Sequence, residues 1–424
     1  MKFFGRLAAV MATLISNIKQ LVNVRSSWSL LRRAELAKLP CINNAYLIVE
    51  GETIASYGKM EELKFNPSTF QDHLDATGKL VLPSWCDSHT HLVFAGSREH
   101  EFRDKIQGVS YADIAAKGGG ILNSVKKLND TSEDELFNQS YKRLEEVIRL
   151  GTGAIEIKSG YGLTIEGEIK MLRVIKRLKA TSKISIKATF LGAHAFPAEY
   201  KADHDAYIDL IINKMLPQIG AEGLADYIDV FCESGFFSPK QMEQVCLAGR
   251  RYGLKPKLHV NQLNSIGGIQ KGIELDAVSL DHLETMTDED VQALAGSPNT
   301  IGTLLPTAAF FLRMDYQPAR KLIDAGCAIA LASDFNPGSS PSGNMNFVAA
   351  LSCIQMRMLP EEAINAATIN GAYAMELQDE IGSISIGKKA NLIVTKEVPS
   401  LTFLPYSFGS NLIERVMLSG EWVS

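Results

Sequence analysis

Eight short apolar runs, each separated from the next by a segment of helical spacing or a long loop, constrain this chain more than any other feature. The runs lie at 84–91, 153–159, 184–194, 227–233, 255–262, 277–284, 300–306 and 328–336. Helix-like segments fall between them, among others 133–150, 166–181, 207–220, 239–253, 288–295 and 317–325. Strict alternation of strand and helix implies parallel strands joined by right-handed crossovers, and eight such repeats close into a barrel. The fold class is therefore α/β, a (β/α)8 TIM barrel, expected over 83–375.

The flanks follow another pattern. Residues 13–80 hold short alternating strands and turns, with Gly51 at a bend, and the tail returns to this pattern at 382–395 and 412–423. Each piece is too small to bury a core alone. Residues 1–82 and 376–424 are therefore expected to combine into one small β-sandwich domain beside the barrel.

Composition narrows the function classes. The 424 residues, 46% hydrophobic and 21% charged, suit a globular chain with one large and one smaller domain. A net charge of -5 without long runs leaves no electrostatic footprint for nucleic acid. Cys41, Cys86, Cys232, Cys246, Cys327 and Cys353 are scattered without CxxC spacing, which reads as reduced thiols in a cytoplasmic protein. Lys2 and Arg6 ahead of the apolar stretch 7–15 imitate a short signal peptide, but no small-residue cleavage site follows. The stretch 13–24 reads better as a strand, with the first ten residues as an extension. No other segment is apolar for long enough to span a bilayer, so no membrane partner is expected.

In barrels of this kind chemistry sits where the strands end. Strand one ends in Asp87-Ser88-His89-Thr90-His91, and alternate residues of a strand share a face, so His89 and His91 can reach one ion. Strand three ends in His194, strand five in His259 with Gln262, strand six in His282 with Glu284, and strand eight in Asp334 with Asn336. Any one of these histidines is better read as a capped or core imidazole. Five of the eight histidines at one rim point instead to a shared metal site.

These residues resemble the metal-dependent amidohydrolase superfamily and, within it, the imidazolonepropionase family. The similarity runs from about Ile15 to the C-terminus through HTHLVFAGSREHEF (89–102), SYADIAAKGGGI (110–121), EIKSGYGL (156–163), FLGAHAFPAEY (190–200), DVFCESGFFS (229–238) and ASDFNPGSSP (332–341). The resemblance implies that His89, His91, His259 and Asp334 bind one zinc or iron ion per subunit. A second ion is not expected, because strand four, Asp229-Val230-Phe231-Cys232-Glu233, lacks the lysine that two-metal relatives carboxylate. The implied reaction is hydrolysis of the lactam C–N bond of 4-imidazolone-5-propanoate to N-formimidoyl-L-glutamate. Asp334 would serve as general base and acid, with His282 and His194 donating to the carbonyl oxygen.

The resemblance further assigns substrate contacts to Arg98, Tyr111, Tyr161, His194, Gln262, Asn336, Gly338 and Ser339, and implies a homodimer. Arg98 offers a planar fork for the propanoate, with a surface salt bridge as the alternative reading. Gln262 departs from the His-x-x-Glu of related deaminases, and a neutral amide orients a ring without shuttling protons. Gly118-Gly119-Gly120 lacks the continuation of a phosphate loop and reads as a turning segment near the site. Lys158 is either catalytic or paired with a rim carboxylate. A heterocycle deaminase and an inactive scaffold barrel remain as alternatives, the latter predicting lost ligands where none is lost.

Overall fold

The computed structural model describes residues 12–64, 66–108 and 120–423. Five strands come first: β1 (Ala12–Val22), β2 (Cys41–Glu50), β3 (Thr53–Lys59), β4 (Asp72–Asp75) and β5 (Lys79–Pro83). Eight barrel strands follow: β6 (Trp85–Thr90), β7 (Thr152–Lys158), β8 (Ser185–Ala193), β9 (Tyr227–Cys232), β10 (Lys255–Val260), β11 (Ser279–His282), β12 (Ile301–Leu304) and β13 (Ile329–Leu331). The chain finishes with β14 (Leu392–Glu397), β15 (Ile413–Leu418) and β16 (Glu421–Trp422).

Strands β6 to β13 pair in sequence order, and every neighbouring pair is parallel. The residues just beyond β13 return to β6 and close the barrel: the Asp334 N–H donates to the His89 carbonyl at 3.0 Å and the His91 N–H to the Phe335 carbonyl at 2.9 Å. Outward-facing Ile155 and Ile157 pack in one apolar core with Leu144, Leu172 and Leu178 of the surrounding helices. The interior is unusual in charge, since Glu156, Lys158, Asp229, Lys257 and Asp281 are all fully buried.

The flanking strands form one hydrogen-bonded sheet in the order β16-β15-β14-β5-β1-β2-β3, with β4 also on β1. Strand β14 runs antiparallel to β5, placing Leu392 opposite Pro83. Ile15, Ile18, Leu21, Leu47, Val81, Leu392, Val394 and Met417 share a separate core, so the two ends of the chain bury one apolar surface that neither buries alone.

Several strands stop earlier than their apolar runs suggest. Asn261, His282, Leu283 and Asp334 have φ of 54°, 90°, 65° and 51°, which turns the chain out of the extended form. Gln262, Glu284, Asp334 and Asn336 therefore stand on loops beyond the strand ends. All six cysteines are free thiols, with Cys86, Cys232, Cys246 and Cys327 buried. Among the described residues no helix is long and apolar enough to cross a membrane.

The helix Ile369–Tyr373 packs on β6 through Gly371, where an added Cβ would lie 2.5 Å from the Cys86 carbonyl oxygen. A backbone oxygen of the barrel cannot give way cheaply, so Gly371→Ala should lower stability by about 1–3 kcal/mol in a urea titration. Gly296→Ala, in open space at a helix end, should change it by less than about 1 kcal/mol.

Candidate active site

The C-terminal ends of the barrel strands open on a cavity of about 530 Å³. Its wall includes His91, Arg98, Tyr161, His194, His259, Gln262, His282, Asp334, Asn336, Gly338 and Ser339. Of the residues expected from the sequence, His89 lies just behind this wall, fully buried. Tyr111, with Gly118 and Gly119, lies outside the described residues.

Strand β6 and the residue after it aim His89 and His91 at the barrel axis. The loop after β13 brings Asp334 Oδ1 to 3.6 Å from the Nε2 atoms of both rings. From β10, His259 Nε2 comes within 3.2 Å of His91 Nε2. His89 Nε2 is buried without a hydrogen-bond partner. A lone pair left bare in a protein interior is the arrangement a cation would satisfy. Three imidazoles and a carboxylate converging in this way fit a divalent zinc or iron ion. Burial, reinforced by neighbouring cationic groups, holds His89 and His91 well below the ordinary imidazole pKa, so both rings are neutral and fit to ligate.

Buried carboxylates set which nitrogen of His89 and of His259 faces the centre. His89 Nδ1–H donates to Asp281 Oδ2 at 2.7 Å, and His259 Nδ1–H donates to Asp229 Oδ2 at 2.7 Å. Each bond leaves the opposite nitrogen, Nε2, bare toward the site. Burial alone would raise the Asp229 carboxyl, but His259 and Lys158 outweigh it and hold the group below its ordinary value. Burial raises Asp334 to about 6, with His282 opposing the shift, and its Oδ2 accepts from the Ser339 hydroxyl at 3.1 Å.

The two remaining histidines differ in kind. His194 Nδ1 lies 2.9 Å from the Gly160 carbonyl, which only accepts, so the ring proton sits on Nδ1 and Nε2 is an acceptor. Burial lowers this ring to about 3, with His259 adding to the shift, so it stays neutral. His282 pairs with Glu284 at 3.3 Å, and Gln317 donates to the same carboxylate oxygen at 2.9 Å. Burial alone would lower His282, but Glu284 outweighs it and the net shift is upward. His89, His259 and His282 also stand close enough together to share an ion. His282 is nevertheless the ring of the five driven toward the protonated form, which donates rather than ligates.

Arg98 is neither a surface ion pair nor a lone fork. Its Nε and Nη2 donate to Glu101 Oε2 at 2.9 and 2.6 Å, while Glu101 Oε1 accepts from the Gly120 N–H at 3.0 Å. Its Nη1 lies so near Gly338 that a Cβ there would push the end of the guanidinium aside. The Asn336 amide is used up inside its own loop. It donates to the Asp334 carbonyl and the Ser339 hydroxyl, both at 2.7 Å, and accepts from the Gly338 and Ser339 N–H groups at 2.7 and 2.8 Å. These bonds fix the loop that carries Asp334 and Ser339.

Asp281, Asp229, Gln317, Glu101 and Glu168 are partners of site residues to which motif reading gives no part, and Glu284, at the end of the sixth apolar run, pairs with His282. Glu168, buried, accepts from the N–H groups of Gly160, Gly162 and Leu163 at 3.1, 2.8 and 2.9 Å, and so fixes the turn that carries Tyr161. For Asp229 and Asp281 the available signal is a charged residue inside an apolar strand run, since such groups are rarely buried without a partner; Glu101, Glu168 and Gln317 lie outside the strands.

Comparison with known proteins identifies the family. The profile of the Amidohydrolase family matches residues 80–423. An imidazolonepropionase of Flavobacterium johnsoniae is 60% identical over 413 residues, covering 97% of this chain and 100% of that one. One from Christiangramia forsetii is 56% identical with the same coverage. One from Alkaliphilus metalliredigens is 40% identical, covering 97% of each chain. Among solved structures, a zinc-bound atrazine chlorohydrolase of Arthrobacter aurescens superposes with a TM-score of 0.71 at 14% identity, covering 97% of this chain and 95% of that one. E. coli guanine deaminase superposes with a TM-score of 0.71 at 15% identity, covering 97% and 99%. At such identities the structural likeness speaks for the fold alone. The chain belongs to the amidohydrolase family, among the relatives named imidazolonepropionase.

Proposed function

We propose that this chain hydrolyses the lactam C–N bond of 4-imidazolone-5-propanoate to N-formimidoyl-L-glutamate, with one zinc or iron ion per subunit on His89, His91, His259 and Asp334. The observation that carries this reading is that one cavity holds both the converging ring nitrogens and a half-buried guanidinium. The full-length relatives named imidazolonepropionase support it. The same reading includes a homodimer, a cytoplasmic location suited to the free thiols, and a division into a barrel at 83–375 and a composite β domain at 1–82 and 376–424.

An ion bound there supplies Lewis acidity, lowering the pKa of a water from near 16 toward about 7. The residues of the chain do the rest. Asp334, held by Ser339 on one oxygen, takes the water proton and passes it to the lactam nitrogen. The water oxygen joins the carbonyl carbon, the C–N bond breaks, and the nitrogen departs with that proton. His282, kept toward imidazolium by Glu284, donates to the carbonyl oxygen as it gains negative charge. His194 accepts a ring N–H through its bare Nε2. Arg98, braced by Glu101, receives the propanoate. Gln262 touches the ring without carrying a proton, which favours ring opening over deamination.

Metal-loaded protein supplied with 4-imidazolone-5-propanoate should release N-formimidoyl-L-glutamate, and ammonia as the product would overturn the reading. Stripping the protein with a chelator should abolish turnover, and zinc or iron(II) should restore it. Arg98→Ala removes a charge-assisted contact of about 1.5–3 kcal/mol, so KM should rise roughly 10- to 100-fold with kcat little changed. Steady-state kinetics identical to wild type would rule out the propanoate contact.

A further inference from the structure

Beneath the cavity, sealed from it by the ring of histidines, lies a cluster of four fully buried charged side chains: Lys158, Glu156, Asp229 and Asp281. The Lys158 ammonium is 2.9 Å from Asp229 Oδ2, 3.0 Å from Glu156 Oε1 and 3.7 Å from Asp281 Oδ2. Asp229 Oδ2 is also the oxygen that accepts from His259, and Asp281 Oδ2 the one that accepts from His89. A single ammonium on β7 therefore stands against both oxygens that orient rings on β10 and β6. The far oxygens are tied as well. Asp229 Oδ1 accepts from the His259 N–H at 3.0 Å, and Asp281 Oδ1 from Ser279 Oγ at 2.6 Å.

We infer that Lys158 is a positioning residue, a buried cationic bridge that holds the Asp229 and Asp281 carboxylates together so that His89 and His259 converge on one divalent cation. The inference rests on the metal-centre reading above and adds to it a residue that touches neither ion nor substrate. Two carboxylates facing each other in a low-dielectric interior repel, and each would carry its imidazole away as it turned. The ammonium reverses the sign of that interaction before any ion arrives. Partners of this kind, one layer behind the ligands, typically change metal affinity by about 10- to 100-fold.

Net charge is separable from bridging. Replacing both Lys158 and Glu156 by neutral residues leaves the charge of the cluster unchanged while deleting the bridge. In cobalt(II) titrations of the metal-stripped, full-length chain, the Lys158→Met/Glu156→Gln variant should bind at least about tenfold more weakly than wild type, with altered visible d–d bands. Glu156→Gln alone should retain wild-type affinity and spectrum. An unchanged double variant, or an equal loss in Glu156→Gln alone, overturns the inference.

A second measurement needs no variant. In metal-stripped wild-type protein with 15N-labelled histidine, the Nδ1 protons of His89 and His259 should persist as downfield, slowly exchanging resonances, and their loss on stripping would refute a bridge that acts without the ion. If wild-type protein takes up no cobalt, the metal-centre reading falls and this inference with it. Tight wild-type uptake with unchanged variants sinks this inference alone.

Discussion

Closure of the barrel between β6 and the segment after β13 is the interaction on which the rest depends. Asp334 is separated from His89 and His91 by more than two hundred residues of sequence, yet the two backbone hydrogen bonds that seal the seam are made by these same three residues and Phe335. Asp87 strengthens the joint, accepting from the Ser333 N–H at 3.0 Å and its hydroxyl at 2.6 Å. Ligand geometry is thus a by-product of a backbone register, which is stiffer than any arrangement of free side chains.

The interior charge of the barrel follows from the same economy of position. A buried ion pair gains little net stability, because desolvation offsets most of the Coulomb attraction. Here the charges are not distributed for stability. The carboxylates of Asp229 and Asp281 lie directly behind ring nitrogens, and Glu284 lies behind His282. His89, His259 and His282 therefore each receive a tautomer or protonation state from a fixed neighbour. His194, backed by a carbonyl in place of a carboxylate, is kept neutral by burial, with His259 adding to the shift.

Strand count, barrel topology and the inward face of His89, His91 and His259 were legible in the sequence because periodicity reports directly on which way a side chain points. Asp334 was legible by its place at the end of the eighth apolar run, although the structure sets it on a loop. The left-handed residues that end the strands early were not, since His282 and Leu283 are types that rarely adopt φ near 90° and 65°. Asp229 and Asp281 stood in plain view inside their strands, but their roles depend on cross-strand distances, which spacing along one strand does not contain. Glu101 lies three residues from Arg98 and was likewise unreadable as its partner until Glu99–Ile106 proved helical.

The place of β14 in the flanking sheet bears on how the chain is made. It lies between β5 and β15, so β5 keeps an unpaired edge until residues near 392 exist to cover it. A ribosome building this chain from the N-terminus completes all eight barrel strands while the adjoining sheet still has an open side. Pairings of such long sequence separation form slowly, and an exposed edge invites association with other chains in the interval. The last strands of the protein act as a late clasp, and truncations there would be felt first in the yield of folded protein rather than in the chemistry.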